Sequence, residues 1–372
     1  MREDIVIIGG GLAGTEAAWQ AANRGAKVTL YEMRPKEMTK AHKTGDLAEL
    51  VCSNSLGSAD PLNAPGILKT EMRRLNSLVI RAAEEARVPA GSALAVDREQ
   101  FARVITQALE GHPNIRIMRE EVTEIPQDAV TIIATGPLTS EKLSKAISEL
   151  THERHLYFFD AISPIIDAES INMDIVYRAS RYGKGGADYL NCPLDEAAYN
   201  ALYDAMMTAE KVQPKEFEKI AYFESCIPIE VMAERGRQTM QFGPLKPVGL
   251  EHPKTGVRPY AVVQLRTENA HGTCYNMVGF QTKLTYPEQR RVFRLIPGLE
   301  NAEFLRLGSL HRNTFINSPQ LLRETLQLKS RGTVFFAGQL VGVEGYTESA
   351  AMGGIAGINA ARGLADQPLV TP

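Results

Sequence analysis

Short runs of apolar, β-branched residues mark both ends of the chain. Residues 4–8 (DIVII) form the first run, and uninterrupted runs of this kind are typical of strands buried on both faces of a parallel sheet. Small residues over 15–24 predict a helix after it, and residues 27–32 predict a second strand that ends in an acid. The pattern therefore predicts a βαβ unit at the N-terminus.

Two later runs have the same character. Residues 130–136 (VTIIATG) predict a buried strand that ends at Gly136, and residues 333–339 (TVFFAGQ) predict a strand that runs into Gly338. A turn containing Glu344 and a helix of small residues up to Arg362 follow. This pairing of an N-terminal βαβ unit with a C-terminal strand, turn and helix resembles the glutathione-reductase-like flavoprotein fold.

The middle of the chain follows another pattern. Apolar positions predict one helix over 66–87, and Asp97 is the expected N-cap of the next helix. From residue 155 to 310 the βαβ rhythm is lost, with strand-like pieces at 156–159, 260–266 and 274–280 and a helix around 196–211. The predicted fold class is α/β, with an FAD-binding domain (1–154 plus 311–372) and an inserted α+β domain (155–310) that carries substrate.

Length and composition exclude several classes of protein. A chain of 372 residues, 44% of them hydrophobic, is neither a disordered polyelectrolyte nor a small disulfide scaffold. Its four cysteines lie far apart without a CxxC pair, so no disulfide framework and no metal site is predicted. The N-terminus does not resemble a signal peptide, and no apolar run reaches the roughly 18 residues of a membrane helix. We therefore expect a cytoplasmic protein without a membrane partner.

Charge is distributed unevenly along the chain. The net charge of -3 argues weakly against a nucleic-acid partner. Residues 250–331, however, contain 12 Lys and Arg against 6 Asp and Glu, a local net charge of +6 that leaves -9 on the remainder. Such a basic part can steer a polyanion. Ordinary solvated arginines account for the same charge equally well.

The first glycine cluster carries the chemistry of a dinucleotide site. In Gly9-Gly10-Gly11-Leu12-Ala13-Gly14, Gly9 permits a tight turn, Gly11 admits a pyrophosphate close to the backbone, and Gly14 lets the helix pack on the strand. The N–H groups at the helix start favour an anion. Glu32 stands where a carboxylate accepts the ribose hydroxyls and would repel the 2'-phosphate of NADP. These features predict FAD or NAD.

The two later strands favour FAD over NAD. Gly136, Gly338, Gly353 and Gly354 are predicted as further cofactor contacts. The start of the last helix would face the O2 region of the isoalloxazine ring, where the positive end of the helix dipole stabilises reduced flavin. Close packing of a helix through glycine and alanine is the alternative explanation for Gly353 and Gly354.

Two of the four cysteines are candidates for reactive thiols. Cys226 lies at the N-terminal edge of a short helix that starts with Pro228 and ends near Gly236. A helix N-terminus lowers a thiol pKa while the neighbouring glutamates raise it, so the sign of the net shift is open. Cys52 lies in a polar, turn-forming stretch, 49–58. The other two, Cys192 and Cys274, are predicted to be inert small hydrophobes.

Five segments together resemble one known family, the folate- and FAD-dependent tRNA (uracil-5-)-methyltransferases. They are Gly9–Ala18, Tyr31–Pro35, Glu49–Ser55, Tyr222–Glu230 and Gly338–Tyr346. The resemblance covers nearly the whole chain. Relatives of this kind continue with further helical sequence after the point where this chain stops, so we expect either a shorter member or a missing segment that helps to hold RNA.

The resemblance implies a transferase built on an oxidoreductase scaffold. It implies that 5,10-methylenetetrahydrofolate gives a one-carbon unit to C5 of a uridine in the T-loop of tRNA, through FAD, and that NADH or NADPH completes its reduction to the methyl group of 5-methyluridine. It also implies that Cys226 is the nucleophile that adds to uracil C6. By the same resemblance Cys52 is the base that removes the C5 proton, or a second thiol that protects the one-carbon unit; the division between the two cysteines stays open.

Four other functions are compatible with the same sequence. The nearest is a tRNA wobble-uridine-modifying flavoprotein of the glucose-inhibited division protein A type, although those proteins are much longer. Ribosomal RNA is a second possible substrate for the same chemistry. A flavin-bound module without catalysis and an NAD(P)H oxidase are alternatives from other classes. No obligate protein partner is expected.

Overall fold

A computed structural model describes residues 4–39, 41–152, 156–184, 186–212 and 227–371 of the chain. The elements in these ranges are β1 (Asp4–Ile8), α1 (Leu12–Ala22), β2 (Lys27–Tyr31), β3 (Ser55–Ser58), α2 (Ala64–Arg74), α3 (Leu78–Glu85), β4 (Arg87–Val88), β5 (Ala93–Val96), α4 (Arg98–Glu110), β6 (Ile115–Met118), β7 (Val130–Ile133), α5 (Glu141–Thr151), β8 (Leu156–Ala161), β9 (Ile165–Asp167), β10 (Tyr177–Ala179), β11 (Tyr189–Leu194), α6 (Glu196–Thr208), α7 (Ile229–Glu234), α8 (Thr239–Phe242), β12 (Ala261–Thr267), β13 (Cys274–Met277), α9 (Tyr286–Phe293), β14 (Phe304–Arg306), β15 (Leu310–Phe315), α10 (Ser318–Leu321), β16 (Gln327–Leu328), β17 (Arg331–Phe336) and α11 (Tyr346–Leu364).

The N-terminal βαβ unit lies at the centre of a six-stranded sheet with the order β16-β17-β7-β1-β2-β6. Strand β1 pairs in parallel with β2 and with β7, and β7 pairs in parallel with β17, while β16 is an antiparallel edge. Ile5, Ile7 and Leu30 are fully buried in one apolar core with residues of α1 and α4, and Ile8 and Ile133 face a second core on the other side, with residues of α5. The predicted βαβ unit and both later strands are confirmed, since apolar runs buried on two faces form parallel strands.

Helix α11 lies directly against α1, and glycine makes this contact possible. A Cβ atom on Gly353 would lie 2.1 Å from the carbonyl oxygen of Ala13, and one on Gly357 would lie 2.3 Å from that of Ala17. No side chain fits at those distances. The two helices therefore approach backbone to backbone.

The predicted single helix over 66–87 is wrong, because the structure has two helices there. Asn76 between them has a φ of 55°, a left-handed conformation that asparagine tolerates and a continuous helix does not. Ser77 then caps α3, since its Oγ accepts a hydrogen bond from the N–H of Ile80. The predicted cap at Asp97 is confirmed: its carboxylate accepts from the N–H groups of Glu99 and Gln100 at the start of α4.

A second six-stranded sheet lies between residues 165 and 306, with the order β10-β11-β12-β13-β9-β14 and antiparallel pairing throughout. Its apolar core is separate from that of the parallel sheet and includes Ile166, Leu265, Met277 and Phe293. The predicted helix around 196–211 is α6, and the strand-like pieces at 260–266 and 274–280 contain β12 and β13. The α+β pattern predicted for this part is observed.

Strands β8 and β15 pair with each other in a separate antiparallel ribbon. In sequence, each of them lies between a strand of the parallel sheet and a strand of the antiparallel sheet. A further small sheet, β3-β5-β4, carries the segment that follows Cys52. Among the helices that the structure describes, none combines the length and apolarity needed to cross a membrane.

Candidate functional site

The carboxyl ends of β1, β2, β7 and β17 border an open cleft of about 1020 Å³, a volume that includes the solvent at its mouth. Ligands of open α/β sheets bind at this edge. The predicted cofactor contacts that line the cleft are Gly9, Gly10, Gly11, Leu12, Ala13, Glu32, Gly136 and Gly338. Residues separated by more than 300 positions thus meet around one cavity.

The glycine loop has the geometry that its sequence predicts. Gly9 has a φ of 106°, and a Cβ there would lie 2.6 Å from the carbonyl oxygen of Ala134, the residue that follows β7. A Cβ on Gly14 would lie 1.8 Å from the carbonyl oxygen of Gly9, so the start of α1 rests on the loop itself. A Cβ on Gly11 would meet no protein atom within 4 Å. The backbone at Gly11 is therefore open to a ligand.

Glu32 is held by protein groups on both carboxylate oxygens. Oε2 accepts from the N–H of Gly10 at 2.9 Å, and Oε1 accepts from the N–H and Nε of Arg34 at 3.0 and 2.9 Å. Burial alone would raise the pKa of Glu32, but the hydrogen bonds and positive charge of Arg34 lower it on balance. Glu32 is therefore an ionised acceptor with a fixed orientation at the end of β2.

The observed loop fits a dinucleotide cofactor. Helix α1 starts at the loop without a side-chain cap, so its first N–H groups are free to bind a phosphate. Glu32 lies at the end of β2, where the ribose of a bound dinucleotide would lie. It can accept hydrogen bonds from the ribose hydroxyls, because a carboxylate has acceptor sites beyond those used by Gly10 and Arg34. The residues that would hold FAD are thus the loop from Gly9 to Ala13 for the pyrophosphate and Glu32 for the ribose.

The structure places the other predicted glycines in two groups. Gly136 has a φ of 65° with open space at its Cβ position, and Gly338 has a φ of 76°; both line the cleft. The lining of the cleft does not include Gly353 and Gly354. Gly353 faces the backbone of Ala13, and Gly354 faces the side chain of Glu16. Close helix packing therefore requires glycine at 353, and Gly354 also lies in the interface between α11 and α1.

Tyr346 at the start of α11 links the cleft to the Cys52 segment. Its hydroxyl oxygen accepts hydrogen bonds from the N–H groups of Cys52 at 2.9 Å and Ser53 at 3.1 Å. Burial raises the pKa of Tyr346 well above its usual range, so the phenol is neutral. The Cys52 thiol, half-buried, donates towards the carbonyl oxygen of Ala161 at 3.8 Å. Cys52 is thereby fixed beside a residue that lines the cleft.

A guanidinium group supports the same segment from the other side. Arg98, the first residue of α4, donates to the carbonyl oxygens of Leu50 at 2.7 Å and Cys52 at 3.1 Å. Burial alone would lower the pKa of Arg98, but the adjacent carboxylate of Glu268 raises it on balance. The backbone around Cys52 is therefore held at its N–H group by Tyr346 and at its carbonyl group by Arg98.

His42 also lines the cleft, next to the network of Glu32 and Arg34. Its Nδ1 lies 2.7 Å from the hydroxyl of Thr39. Burial, together with the positive charge of Arg34, lowers the pKa of His42 to about 4, although Glu49 acts in the opposite direction. The imidazole is therefore neutral at pH 7.

We expect His42 to make the folded protein less stable in mild acid. Between pH 6.5 and 4 the unfolded chain binds a proton at His42 that the folded chain does not, so the free energy of unfolding falls as the pH is lowered through this window. The expected loss is about 1–2 kcal/mol, since the ring is partly exposed. Urea unfolding of wild type and His42→Gln at pH 7 and pH 5 measures it. Equal losses in both proteins would contradict this prediction.

The remaining cysteines differ in what the structure shows. Cys226, the predicted nucleophile, lies outside the described residues. The short helix predicted after it is α7, which begins at Ile229 with Pro228 as its N-cap. Cys192 is fully buried, and burial raises its thiol pKa far above the usual range. Burial also raises the pKa of Cys274. Within the described ranges, no three His, Cys, Asp or Glu side chains group as metal ligands.

Sequence reasoning did not assign a role to Tyr346, Arg98, Arg34 or His42. Tyr346 and Arg34 fall inside segments that carry the family resemblance, but no local pattern shows that a tyrosine will bond to a backbone 294 positions away. The only local signal for Arg98 is its place directly after the N-cap Asp97. These residues become visible only through the tertiary structure.

Comparison with protein families gives a match over almost the whole chain. The model described as "Glucose inhibited division protein A" matches residues 4–368. Two relatives named "Methylenetetrahydrofolate--tRNA-(uracil-5-)-methyltransferase TrmFO" are each 60% identical to this chain. The protein from Aquifex aeolicus aligns over 100% of this chain and 84% of its own length, and that from Bacillus pumilus over 100% and 85%.

Solved structures support the fold. The crystal structure titled "Structure of Aquifex aeolicus GidA in the form II crystal" superimposes with a TM-score of 0.75 at 20% identity, over 99% of this chain and 65% of that chain. At this identity the likeness concerns the fold alone, and it confirms the predicted α/β class. The identity to the named relatives confirms the resemblance read from the sequence: the chain belongs to the TrmFO family of methylenetetrahydrofolate--tRNA-(uracil-5-)-methyltransferases.

Proposed function

We propose that this protein transfers a one-carbon unit from 5,10-methylenetetrahydrofolate to C5 of a uridine in the T-loop of tRNA. With FAD as the cofactor and NADH or NADPH as the electron donor, the product is 5-methyluridine. The observation that carries the proposal is the position of Cys52. Its backbone is bound by Tyr346, a lining residue of a cleft that fits a dinucleotide. A cysteine whose backbone is bound by a residue of such a cleft, in a chain 60% identical to named TrmFO proteins, supports a reaction in which both the cofactor and a thiol take part.

The residues of this chain have separate tasks in the proposed reaction. FAD, when bound, supplies the two-electron chemistry that converts a methylene unit to a methyl group. The loop from Gly9 to Ala13 binds its phosphates, and Glu32 orients its ribose. Cys226 as a thiolate adds to uracil C6, which makes C5 nucleophilic. C5 then forms a bond to the one-carbon unit, whose bonds to folate break. Cys52, as a thiolate, accepts the proton that C5 loses, and the bond from Cys226 to C6 breaks, which releases the Cys226 thiolate.

The same proposal covers organisation and cellular place. We divide the chain into an FAD-binding domain, 1–154 plus 311–372, and an inserted substrate domain, 155–310. The two separate apolar cores support this division. Reduced nicotinamide donates the electrons, and the place of action is the cytoplasm, where tRNA is available. No protein partner is needed for the chemistry as proposed.

Label transfer tests the function directly. The purified, FAD-loaded protein is incubated with 5,10-methylenetetrahydrofolate labelled in its methylene carbon, NADPH and tRNA that lacks 5-methyluridine. We expect label in the RNA as 5-methyluridine, located at one T-loop position by nuclease digestion and mass spectrometry. The matched control is tRNA with that uridine replaced by cytidine, which should take up no label. Absence of label from the unmodified tRNA would reject the proposed function.

Salt dependence tests the contribution of the basic segment, 250–331, to tRNA binding. Its 12 Lys and Arg against 6 Asp and Glu lead us to expect that tRNA affinity falls by a factor of about 10² or more between 50 and 200 mM salt, because counterions are released from the phosphates. Filter binding at several salt concentrations measures the slope. A flat dependence would contradict phosphate recognition by this segment.

A further inference from the structure

Polar contacts concentrate where the Cys52 segment meets the antiparallel sheet. We call this set of contacts the seam; one side is formed by Ser53, Asn54, Asp97 and Arg98, and the other by residues 266–270. Its hydrogen bonds run from Arg266 Nε to Asn54 Oδ1 (2.8 Å), from Arg266 Nη2 to Ser53 Oγ (2.7 Å), from Asn54 Nδ2 to the carbonyl oxygen of Thr267 (2.9 Å) and from the N–H of Ala270 to Asp97 Oδ2 (3.1 Å). The residues next to Cys52 are thereby attached to the end of β12.

The ion pair of Arg98 and Glu268 forms the centre of the seam. Arg98 Nε donates to Glu268 Oε2 at 2.5 Å and Nη2 donates to Oε1 at 3.1 Å, a two-point contact across the boundary. The side chains are only 14% and 4% exposed. Such a planar contact fixes the plane of the guanidinium group as well as its distance from the carboxylate.

The adjacent edge of the same guanidinium group holds the Cys52 backbone, and Nη2 belongs to both edges. Nη1 donates to the carbonyl oxygen of Leu50 and Nη2 to that of Cys52. Because the group is rigid and planar, the orientation set by Glu268 also sets the direction of these two hydrogen bonds. A shift of Glu268 therefore moves the donors that hold the Cys52 backbone.

Stability alone does not account for this arrangement. A buried ion pair contributes little net stability, and apolar side chains of similar volume stabilise a fold as well or better. What an apolar pair cannot provide is a directed hydrogen bond to a particular carbonyl group. Arg98 donates two hydrogen bonds to Glu268 and one each to the carbonyl oxygens of Leu50 and Cys52. The two hydrogen bonds that do not go to Glu268 therefore hold the segment that carries the thiol.

We propose that Arg98 is a positioning residue for Cys52 and that Glu268 holds Arg98 in that role, so that the antiparallel sheet fixes the thiol beside the dinucleotide cleft. The proposal rests on the proposed function only for the part that Cys52 takes in the reaction. Since Glu268 follows β12 directly, a displacement of the substrate-carrying sheet changes the placement of the thiol. Arg98 and Glu268 need not contact substrate for this effect.

Two variants test the proposal in the FAD-loaded protein. Glu268→Gln keeps the shape of the side chain but removes its charge, and Arg98→Lys keeps the positive charge but removes the planar fork. In both we expect the Cys52 thiol to react about 5–10-fold faster with iodoacetamide at pH 7.5, as the segment opens more often. Peptide mass spectrometry reports the Cys52 peptide separately from the other cysteines. If Glu268→Gln does not fold, Arg98→Lys carries the test.

Kinetics of methyl transfer provide the second readout. We expect kcat to fall about 10–100-fold in both variants while the KM for tRNA stays unchanged, because a misplaced thiol slows the chemical step without removing a contact to RNA. The matched control is Glu84→Gln, which breaks the exposed ion pair with Arg73 on α2 and should change neither readout. The flavin absorbance spectrum should be that of wild type in all three proteins.

The two readouts separate this proposal from the proposed function. Faster alkylation of Cys52 in a protein that methylates no RNA would reject the function and support the positioning role. Alkylation rates and kcat within about twofold of wild type in both variants would overturn the positioning role. A rise in the KM for tRNA with unchanged kcat would also overturn it, since Arg98 and Glu268 would then serve RNA binding.

Discussion

Replacement of Cys226 by alanine is expected to lower the rate of methyl transfer by a factor of roughly 10³ or more. C5 of uracil is a poor nucleophile until a thiolate adds at C6, because only the resulting enolate carries enough negative charge towards C5. Cys192 cannot replace it, because Cys192 is fully buried and burial raises its thiol pKa far above the usual range. Label transfer from 5,10-methylenetetrahydrofolate to unmodified tRNA measures the loss.

Controls distinguish this role from a general effect on the fold. The Cys226→Ala protein should retain its flavin spectrum and its affinity for tRNA, because the substitution removes only a thiol. Cys274→Ala is the matched variant, since Cys274 lies in β13 and has no proposed part in the reaction. It should transfer methyl groups at the wild-type rate. Full activity of Cys226→Ala would reject its role as the nucleophile.

Alanine at Gly11 is expected to weaken only FAD binding, whereas alanine at Gly14 is expected to destabilise the fold as well. A Cβ on Gly11 meets no protein atom within 4 Å, and its φ of -78° suits any residue, so the flavin-free protein should keep its free energy of unfolding. That Cβ would occupy the space in which a pyrophosphate approaches the backbone, and we expect FAD affinity to fall about 100-fold. A Cβ on Gly14 would lie 1.8 Å from the carbonyl oxygen of Gly9, and we expect a loss of about 3 kcal/mol or more in stability.

Two measurements on the flavin-free proteins separate these effects. Urea unfolding gives the free energy of unfolding, and quenching of flavin fluorescence gives the affinity for FAD. Gly11→Ala should change only the second quantity, whereas Gly14→Ala should change both. If Gly11→Ala bound FAD like wild type, the pyrophosphate would not lie against Gly11, and the assignment of the loop from Gly9 to Ala13 would fail.

Local features of the fold could be predicted because their causes are local. The apolar run before Gly9, the small residues of α1 and the acid at the end of β2 specify a βαβ unit within about thirty residues. The cap at Asp97 depends only on N–H groups two and three positions away. The lining of the cleft by Gly9, Gly136 and Gly338 follows from parallel strands ending at one edge.

Other features could not be predicted, because their causes are distant in sequence or hidden in the backbone. Asn76 breaks a stretch whose apolar spacing fits one helix, and only its positive φ reveals the break. Tyr346 binds the backbone of Cys52 from a position near the other end of the chain. Glu268 meets Arg98 across 170 positions. Periodicity contains no information about such pairings, so the support around Cys52 could be found only in the folded structure.

The packing of α11 on α1 has a consequence for the order of events during synthesis. The first half of the cofactor cleft leaves the ribosome early, but Gly338, Tyr346 and the strand β17, which pairs with β7, are made only after residue 330. The glycine contacts that bring the two helices together cannot form before then. We therefore expect a nascent chain without α11 to have an incomplete cleft and to bind FAD more weakly than the full chain does.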